Sequence, residues 1–170
     1  MHKELIEQAL AHPELGSTLG YELIRDMLLP SIVGEDSNFM YWAGKKLARE
    51  IALATDEDIF SFFAAANWGE LTRVKSNAHQ QKFTLTGPII ALRHQNNSHT
   101  PQFLLETGFL AQTIEQQTGL VTEGVLENDT KKNNKISILI QTDPKTPTSD
   151  ELSPDTTPLA FTALLHPEDK

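Results

Sequence analysis

Few residues of this sequence have the types and the spacing that catalysis requires. Glu123 and Glu127 could act as a pair of carboxylates in general acid and base chemistry, provided that burial separates their pKa values. They share a predicted strand with Val121 and Val125, and two glutamates on the solvent-exposed face of an antiparallel strand are the commoner arrangement. We therefore expect no catalytic role for this pair.

Motifs that hold phosphate or metal are also incomplete. Gly44-Lys45 lacks the upstream glycine and the following Ser or Thr of a phosphate-binding loop. His94 and His99 flank a polar stretch that supplies no further ligand at metal-site spacing. The chain has no cysteine, which excludes thiolate zinc sites, iron–sulfur clusters and cysteine nucleophiles. We predict a protein that is not an enzyme, with no catalytic residue, no metal and no cofactor.

Trp42 is the first residue that an ordinary core explains poorly. On a helical wheel it lies between Lys46 and Arg49, away from the predicted core face. Either the N-terminal helix, a loop or the two cations cover its ring, or it belongs to a partner surface or to a site for an anionic ligand with an apolar part. The predicted core face of the same helix consists of Phe39, Met40, Ala43, Gly44, Leu47 and Ile51.

A second unusual feature is the pair Leu105 and Phe109. They lie one turn apart, opposite the main apolar arc of their predicted helix. A helix with two apolar stripes is either sandwiched between layers or meets a second subunit, and the sequence leaves both open. Leu105 and Phe109 are therefore candidate interface residues.

The elements that must position these residues change in type along the chain. Helical patterns lie near 5–11, 18–30, 38–53 and 55–66, and a predicted hairpin (70–76 and 82–90) follows them. After a polar loop (91–101) come a helix at 103–118 and a second hairpin (120–127 and 136–142). Gly108 would allow the helix at 103–118 to lie close to the sheet. This order predicts an α+β fold, with a helical layer packed on one face of an antiparallel sheet of about four strands.

Two regions of different composition follow one another. Residues 1–142 are predicted to form a single α+β domain, whereas 143–170 hold five of the nine prolines and six acidic residues against two lysines. We predict an acidic, Pro- and Thr-rich disordered tail, in which only 159–165 is apolar enough to dock.

Net charge and hydropathy indicate the kind of partner and the location of the protein. The 170 residues carry a net charge of -9, and the pI is about 5.1, which argues against nucleic acid as a partner. No stretch approaches the ~20 apolar residues of a membrane span, and the start of the chain lacks a signal-peptide pattern. We expect a cytoplasmic protein without an integral membrane segment.

Several strings of the sequence resemble the YslB-like family, small cytoplasmic proteins of Gram-positive bacteria whose function is not established. The match runs in order from about residue 18 to 142. The strings are Tyr21-Glu22-Leu23-Ile24-Arg25, Leu29-Pro30, Met40-Tyr41-Trp42-Ala43-Gly44-Lys45-Lys46-Leu47-Ala48-Arg49, Trp68-Gly69, Leu85-Thr86-Gly87-Pro88-Ile89-Ile90 and Leu105-Glu106-Thr107-Gly108-Phe109-Leu110-Ala111.

More distantly, the pattern is similar to the 4-vinyl-reductase-type domain and to the small subunits of the TRAPP tethering complex. This resemblance implies helices on one face of an antiparallel sheet, dimerisation through helices, and an apolar pocket for a small or lipid-like ligand. Some relatives hold an acyl chain on a cysteine, which this sequence cannot do. Any ligand would therefore be held non-covalently.

Two functions follow as hypotheses. The first is a non-enzymatic sensor or adaptor domain that binds a small apolar or amphipathic ligand. The second is a ligand-free structural or protein-interaction subunit, acting as a homodimer or within a larger assembly. The candidate ligand residues are aromatic side chains together with two cations that could pair with an anionic head group. For the aromatic residues, an ordinary core is the alternative. The candidates are Tyr41, Trp42, Lys46, Arg49, Phe60, Phe63 and Trp68.

Overall fold

The computed structural model describes residues 6–7, 11, 18–34, 38–95, 103–127, 134–149 and 157–167. Most of the predicted helix at 5–11, His99 and most of the turn of the second hairpin lie outside the described residues. The helices are α1 (Leu19–Glu22), α2 (Leu29–Val33), α3 (Asn38–Ile51), α4 (Asp56–Ala65), α5 (Pro88–Gln95), α6 (Leu104–Thr118) and α7 (Phe161–Leu165). The strands are β1 (Glu70–Ser76), β2 (Gln80–Thr86), β3 (Leu120–Leu126) and β4 (Ile136–Pro147).

A π-helical stretch, Leu23–Leu28, joins α1 to α2 without a break. Residues 19–33 are called the N-terminal helix below. Such π-helical stretches are rare and shift the side chains that follow them around the helix axis. Here the stretch contains Arg25, whose side chain is buried.

The four strands form one antiparallel sheet in the order β1-β2-β4-β3. Each predicted hairpin is present, and the two hairpins join where β2 pairs with β4, for example at Phe83 opposite Ile138. The apolar residues of these central strands alternate toward the helices, so Phe83, Ile138 and Ile140 are fully buried. The predicted α+β fold with a four-stranded antiparallel sheet is confirmed.

Helix α6 lies between the sheet and α3. On one side, a Cβ atom built on Gly124 of β3 would be 2.9 Å from the Thr107 side chain. On the other side, a Cβ on Gly108 would be 2.9 Å from the Tyr41 carbonyl carbon, so Gly108 permits close approach to α3 rather than to the sheet as predicted. The residues from Leu105 to Glu115 are all buried.

This placement decides the two readings of Leu105 and Phe109. Phe109 is 0% exposed and Leu105 is 8% exposed within a single chain. Both stripes of α6 are covered by layers of the same molecule. The interface assignment of these two residues is therefore wrong, and the sandwich is the correct reading.

The segment after β2 also differs from the prediction. Residues 87–90 were expected to complete a strand and 91–101 to form a loop, yet α5 begins at Pro88. Gly87 leaves the strand with φ +118°, and its carbonyl accepts the Ile90 N–H at 3.1 Å. Proline at the first position of a helix loses no hydrogen bond, so Pro88 starts a helix here instead of ending a strand.

The predicted boundary at residue 142 and the disordered tail need correction as well. Strand β4 continues to Pro147, and the Thr148 N–H donates to the Gly119 carbonyl at 3.0 Å. Farther along, Leu159 pairs with Leu53 in a parallel bridge, and α7 follows. Backbone hydrogen bonds with the domain, which composition does not reveal, order these residues.

Candidate interaction site

Helix α3 packs with a face that matches the predicted core face only in part: Gly44 is buried and Met40, Ala43 and Ile51 pack against the core, as predicted. Lys45 and Ala48 are buried as well, which was not predicted, whereas Phe39 and Leu47 from the predicted core face are exposed. A Cβ on Gly44 would be 2.8 Å from the Phe109 backbone nitrogen, so the small residues allow α6 to approach closely. Small side chains and Lys45 therefore occupy the centre of the buried face, and Phe39 and Leu47 are left outside.

Trp42 lies on this outer side and is 58% exposed. Phe39, Trp42 and Leu47 fall within about 140° of the helix circumference at 100° per residue; they are called the α3 outer face below. Their arc also holds exposed Lys46 and Glu50. The account in which other described elements cover Trp42 is wrong.

A cation does contact Trp42, but it is not one of those expected. The Lys45 Nζ lies 5.7 Å from the Trp42 ring centroid and 5.9 Å from that of Tyr41. Lys45 reaches it from the buried side of the helix, whereas Lys46 is exposed. Its ammonium therefore supports one side of the ring, and the other side remains accessible.

The N-terminal helix carries a second exposed apolar stripe. Ile24, Leu28 and Ile32 recur every four residues, and Ile32 is 68% exposed. Among the described residues, six of the ten large apolar side chains that are exposed lie on the N-terminal helix and α3. Exposed apolar surface is therefore concentrated on these helices.

The opposite side of the N-terminal helix is held by buried charges. The Arg25 guanidinium donates two parallel bonds to the Glu106 carboxylate, Nη1 to Oε1 at 2.5 Å and Nη2 to Oε2 at 2.7 Å. Arg93 of α5 donates to both oxygens of Asp26, at 3.2 and 3.1 Å, and its Nε lies 3.4 Å from the Glu22 carboxylate. These five residues, Glu22, Arg25, Asp26, Arg93 and Glu106, are called the buried ion cluster, although the Asp26 side chain at its rim is 35% exposed.

Three carboxyl groups in this cluster face two guanidinium groups. Burial raises the pKa of Glu22 to about 8, against the lowering effect of Arg93 and with a further rise from Asp26. Although burial acts to raise the pKa of Asp26, the Arg93 guanidinium lowers it below its ordinary value. Glu22 therefore binds a proton more readily than Asp26 does.

A second polar network covers the free edge of β3. The Lys45 Nζ donates to the Thr122 carbonyl at 3.2 Å and to Glu123 at 2.9 Å, and the Gly124 N–H donates to the Tyr41 hydroxyl at 3.0 Å. Tyr41 in turn donates to Glu123. On the same strand, the Thr122 N–H donates to the Glu115 side chain of α6 at 2.9 Å.

These bonds have a clear physical role. An edge strand presents unpaired N–H and C=O groups that can template pairing with another strand. Side chains of α3 and α6 satisfy those groups at Thr122 and Gly124. Tyr41 is therefore a structural residue that joins α3 to the sheet, and its proposed ligand contact has no support in this geometry.

The predicted aromatic ligand residues lie in different places. Phe63 and Trp68 belong to a buried cluster with Phe62 and Phe109, in which ring centroids are 4.9 to 6.0 Å apart. Rings at these distances are in contact, in stacked or edge-to-face geometry. Phe60 lies elsewhere, below the Arg73 guanidinium at 5.9 Å.

The structure thus does not bring the seven candidates together. Phe63 and Trp68 are core residues, and Tyr41 covers the sheet edge. On α3, Trp42 and Lys46 lie on the outer face, and Arg49 is half-buried. The buried ion cluster was not predicted from the sequence. Charged residues at 22, 25 and 26 on one helical turn and at 106 inside an apolar helix were the available signal, since such groups are rarely buried unless paired.

The described part of the chain lacks two features. There, no group of three or more His, Asp or Glu side chains is arranged to hold a metal ion. In the same residues, no helix has both the length and the apolar character needed to cross a bilayer.

The arrangement of helices on a four-stranded antiparallel sheet defines a known fold. The chain is similar to the crystal structure of a vinyl-4-reductase family protein from Methanocaldococcus jannaschii, with a TM-score of 0.58 and 15% identity, over 81% of this chain and 92% of that one. It is also similar to the phenol-responsive sensory domain of the transcription activator PoxR, solved with phenol, at a TM-score of 0.48 and 14% identity, over 77% and 74% of the two chains. At 15% identity, the similarity to the vinyl-4-reductase family protein shows a shared fold.

The sequence comparison is more specific. Residues 18–141 match the family described as protein of unknown function (DUF2507), and the chain belongs to this family. It is 41% identical over 130 residues to the uncharacterized protein YslB of Bacillus subtilis (strain 168), covering 75% of this chain and 85% of that protein. The resemblance to the YslB-like family is confirmed.

Proposed function

We propose that this chain is a non-enzymatic protein-interaction domain that associates with a second copy of itself through the α3 outer face. The observation that carries the proposal is the exposure of Trp42 beside Phe39 and Leu47. Tryptophan and phenylalanine are enriched at the centres of protein interfaces, because they bury much apolar area with few torsions to immobilise.

The position of this face supports the proposal. Gly44 and Ala48 fix the inner side of α3 on α6, while Tyr41 and Lys45 fix it to β3. The outer side chains are therefore presented by a helix held in place along its length. A preformed surface of this kind loses little conformational entropy when it binds.

The charges on the same arc suit self-association. Lys46 and Glu50 are exposed and one turn apart between the apolar side chains. In a two-fold pair of antiparallel α3 helices, each lysine can face the glutamate of the other copy. A two-fold interface uses the same patch twice, so a patch with both charges is self-complementary.

Sedimentation velocity of the purified chain tests this function. We expect the wild type to sediment as a dimer and Trp42→Glu to sediment as a folded monomer, since an exposed residue does not support the core. Val74→Glu is the matched control, because Val74 is exposed to a similar degree on β1. Thermal unfolding followed by circular dichroism verifies that each variant is folded.

Two outcomes would contradict the proposal. One is a wild type that remains monomeric at the highest concentrations measured. The other is a dimer that Trp42→Glu leaves intact, which would place the interface elsewhere. Leu28→Glu then tests the stripe on the N-terminal helix.

A second candidate function rests on a different observation. The side-chain amides of Gln112 and Gln116, one turn apart on α6, include buried oxygen and nitrogen atoms without a hydrogen-bond partner in the described structure. Buried polar atoms of this kind are normally satisfied, so they suit the polar anchors of a small amphipathic ligand. Native mass spectrometry of protein purified from its host would detect such a ligand as added mass, and a clean apo mass would contradict it.

A further inference from the structure

The C-terminal segment binds to the domain through its backbone. The Leu159 N–H donates to the Ala52 carbonyl at 2.8 Å, and the Leu159 carbonyl accepts the Ala54 N–H at 3.0 Å. Leu159 thereby pairs in parallel with Leu53, in the short connection between α3 and α4. Two backbone hydrogen bonds to one residue are the start of a strand-addition contact.

Side chains on both partners continue this contact. The Phe161 ring meets Phe62 edge to face, with centroids 5.3 Å apart. The Thr162 N–H donates to Asp58 Oδ1 at 2.7 Å. The other carboxylate oxygen, Asp58 Oδ2, accepts the Thr55 N–H just before α4 begins. Although burial acts to raise it, the pKa of Asp58 is lowered by the hydrogen bond from Thr162.

These contacts define a groove and its occupant. The groove consists of the backbone of 52–54 together with Asp58 and Phe62, and is called the strap groove below. All of these residues lie within 18–141, the part of the chain that matches the family, whereas Leu159 and Phe161 lie outside it. The groove therefore lies in the part of the chain that matches the family, and its occupant lies outside that part.

We propose that the strap groove is a docking site for an extended segment of another protein with an apolar residue, an aromatic residue two positions later and then a threonine or serine, and that Leu159–Thr162 occupies it as an intramolecular competitor. Backbone pairing supplies affinity in this mode of recognition, and the aromatic ring supplies specificity. The site shares no residue with the α3 outer face, so the proposal does not depend on the proposed function.

A partner protein suits this site better than a second copy does. Thr157 is ten positions beyond Pro147, where β4 ends. A segment on so short a connection has an effective concentration of about a millimolar. An identical segment from a second copy cannot outcompete it, whereas a segment with a better anchor can.

The experiment uses the full-length chain and a labelled peptide. Leu159→Asp with Phe161→Ala should release the segment, and Phe161→Ala alone is the milder variant if the double variant fails to fold. The probe is a fluorescein-labelled peptide with the sequence of residues 155–167, measured by fluorescence anisotropy. We expect the released variant to bind it at least tenfold more tightly than the wild type does.

Matched peptides identify the contacts. The same peptide with Phe161→Ala should lose at least tenfold in affinity. The peptide with Leu164→Asp should bind unchanged, because Leu164 is exposed in the docked segment. Absence of peptide binding to folded released variants would overturn the proposal. A wild-type dimer that the release substitutions dissociate would also overturn it, since the groove would then bind a second copy.

Discussion

Gly108 of α6 lies directly against the backbone carbonyl of Tyr41 in α3. A Cβ atom at position 108 would be 2.9 Å from the carbonyl carbon, which is closer than real Cβ contacts come. The neighbouring contact at Gly44 is just as close, so two glycines bring the two helix backbones together. This approach presents Trp42 on one side of α3 while Tyr41 reaches the sheet on the other.

Gly108→Ala is expected to destabilise the protein by about 3 kcal/mol, because the new methyl group meets backbone that cannot move away. The free energy of unfolding in urea measures the effect. Gly20→Ala is the matched control, since nothing lies within 4 Å of a Cβ at Gly20 in α1. That substitution should be neutral or stabilise by about 0.5–1 kcal/mol. Equal stability of the two variants would show that the close contact is absent in solution.

Arg25→Met is expected to cost about 3–5 kcal/mol, because it leaves the Glu106 carboxylate buried without its bidentate partner. Combining it with Glu106→Leu removes both charges and should restore part of the stability. Urea unfolding of the single and double variants forms a double-mutant cycle. Additive losses would contradict the pairing.

Glu22 is expected to make stability fall as the pH rises. Its pKa is about 8 in the fold against an ordinary value of 4.5, so between these values the folded chain keeps a proton that the unfolded chain releases. The free energy of unfolding should then decrease by up to about 1.4 kcal/mol per pH unit from this group. The contribution is fully present below pH 4.5 and lost above pH 8.

Glu22→Gln tests this pH dependence, because the glutamine side chain is neutral at every pH. Urea midpoints measured from pH 5 to about 9 should decline less for this variant than for the wild type. Glu70→Gln, an exposed change at the start of β1, should follow the wild-type profile. Parallel profiles for Glu22→Gln and the wild type would rule out the raised pKa.

Tyr41→Phe is expected to uncover the edge of β3 at Gly124. The Gly124 N–H loses its acceptor, which should cost about 1–2 kcal/mol and accelerate exchange of that amide hydrogen. Hydrogen exchange followed by NMR measures the rate. The Thr122 amide should be less affected because Glu115 still accepts it. Tyr21→Phe should leave Gly124 unchanged, and an unaltered Gly124 rate in Tyr41→Phe would contradict the edge contact.

The order of elements could be predicted from the sequence because it depends on local signals. The structure confirms the helix predicted at 38–53, which ends at Ile51, and both predicted hairpins. The prediction that Pro88 lies in a strand was wrong, since proline is compatible with a helix start as well as with the end of an edge strand. The segment at 157–165 is ordered by contacts with Ala52, Ala54 and Asp58, far away in sequence.

The site was harder to predict because packing, not hydrophobicity, decides which face of α3 is buried. Phe39 and Leu47 are more apolar than Gly44 and Lys45, yet only the latter pair is buried. A periodicity argument ranks side chains by hydropathy and cannot see the benefit of backbone approach or of a lysine that reaches a strand edge. Trp42 was identified because its position already conflicted with that ranking.

The central position of α6 has a consequence for how the gene can vary. Glu106, Gly108 and Glu115 each point at a different neighbour, namely the N-terminal helix, α3 and β3. Inserting or deleting one codon within this helix would rotate every later side chain by about 100° and misalign these contacts together. In-frame length changes should therefore be tolerated worst between codons 106 and 115. There, a substitution would disrupt the contact of one residue, whereas a deletion would disrupt all three contacts at once.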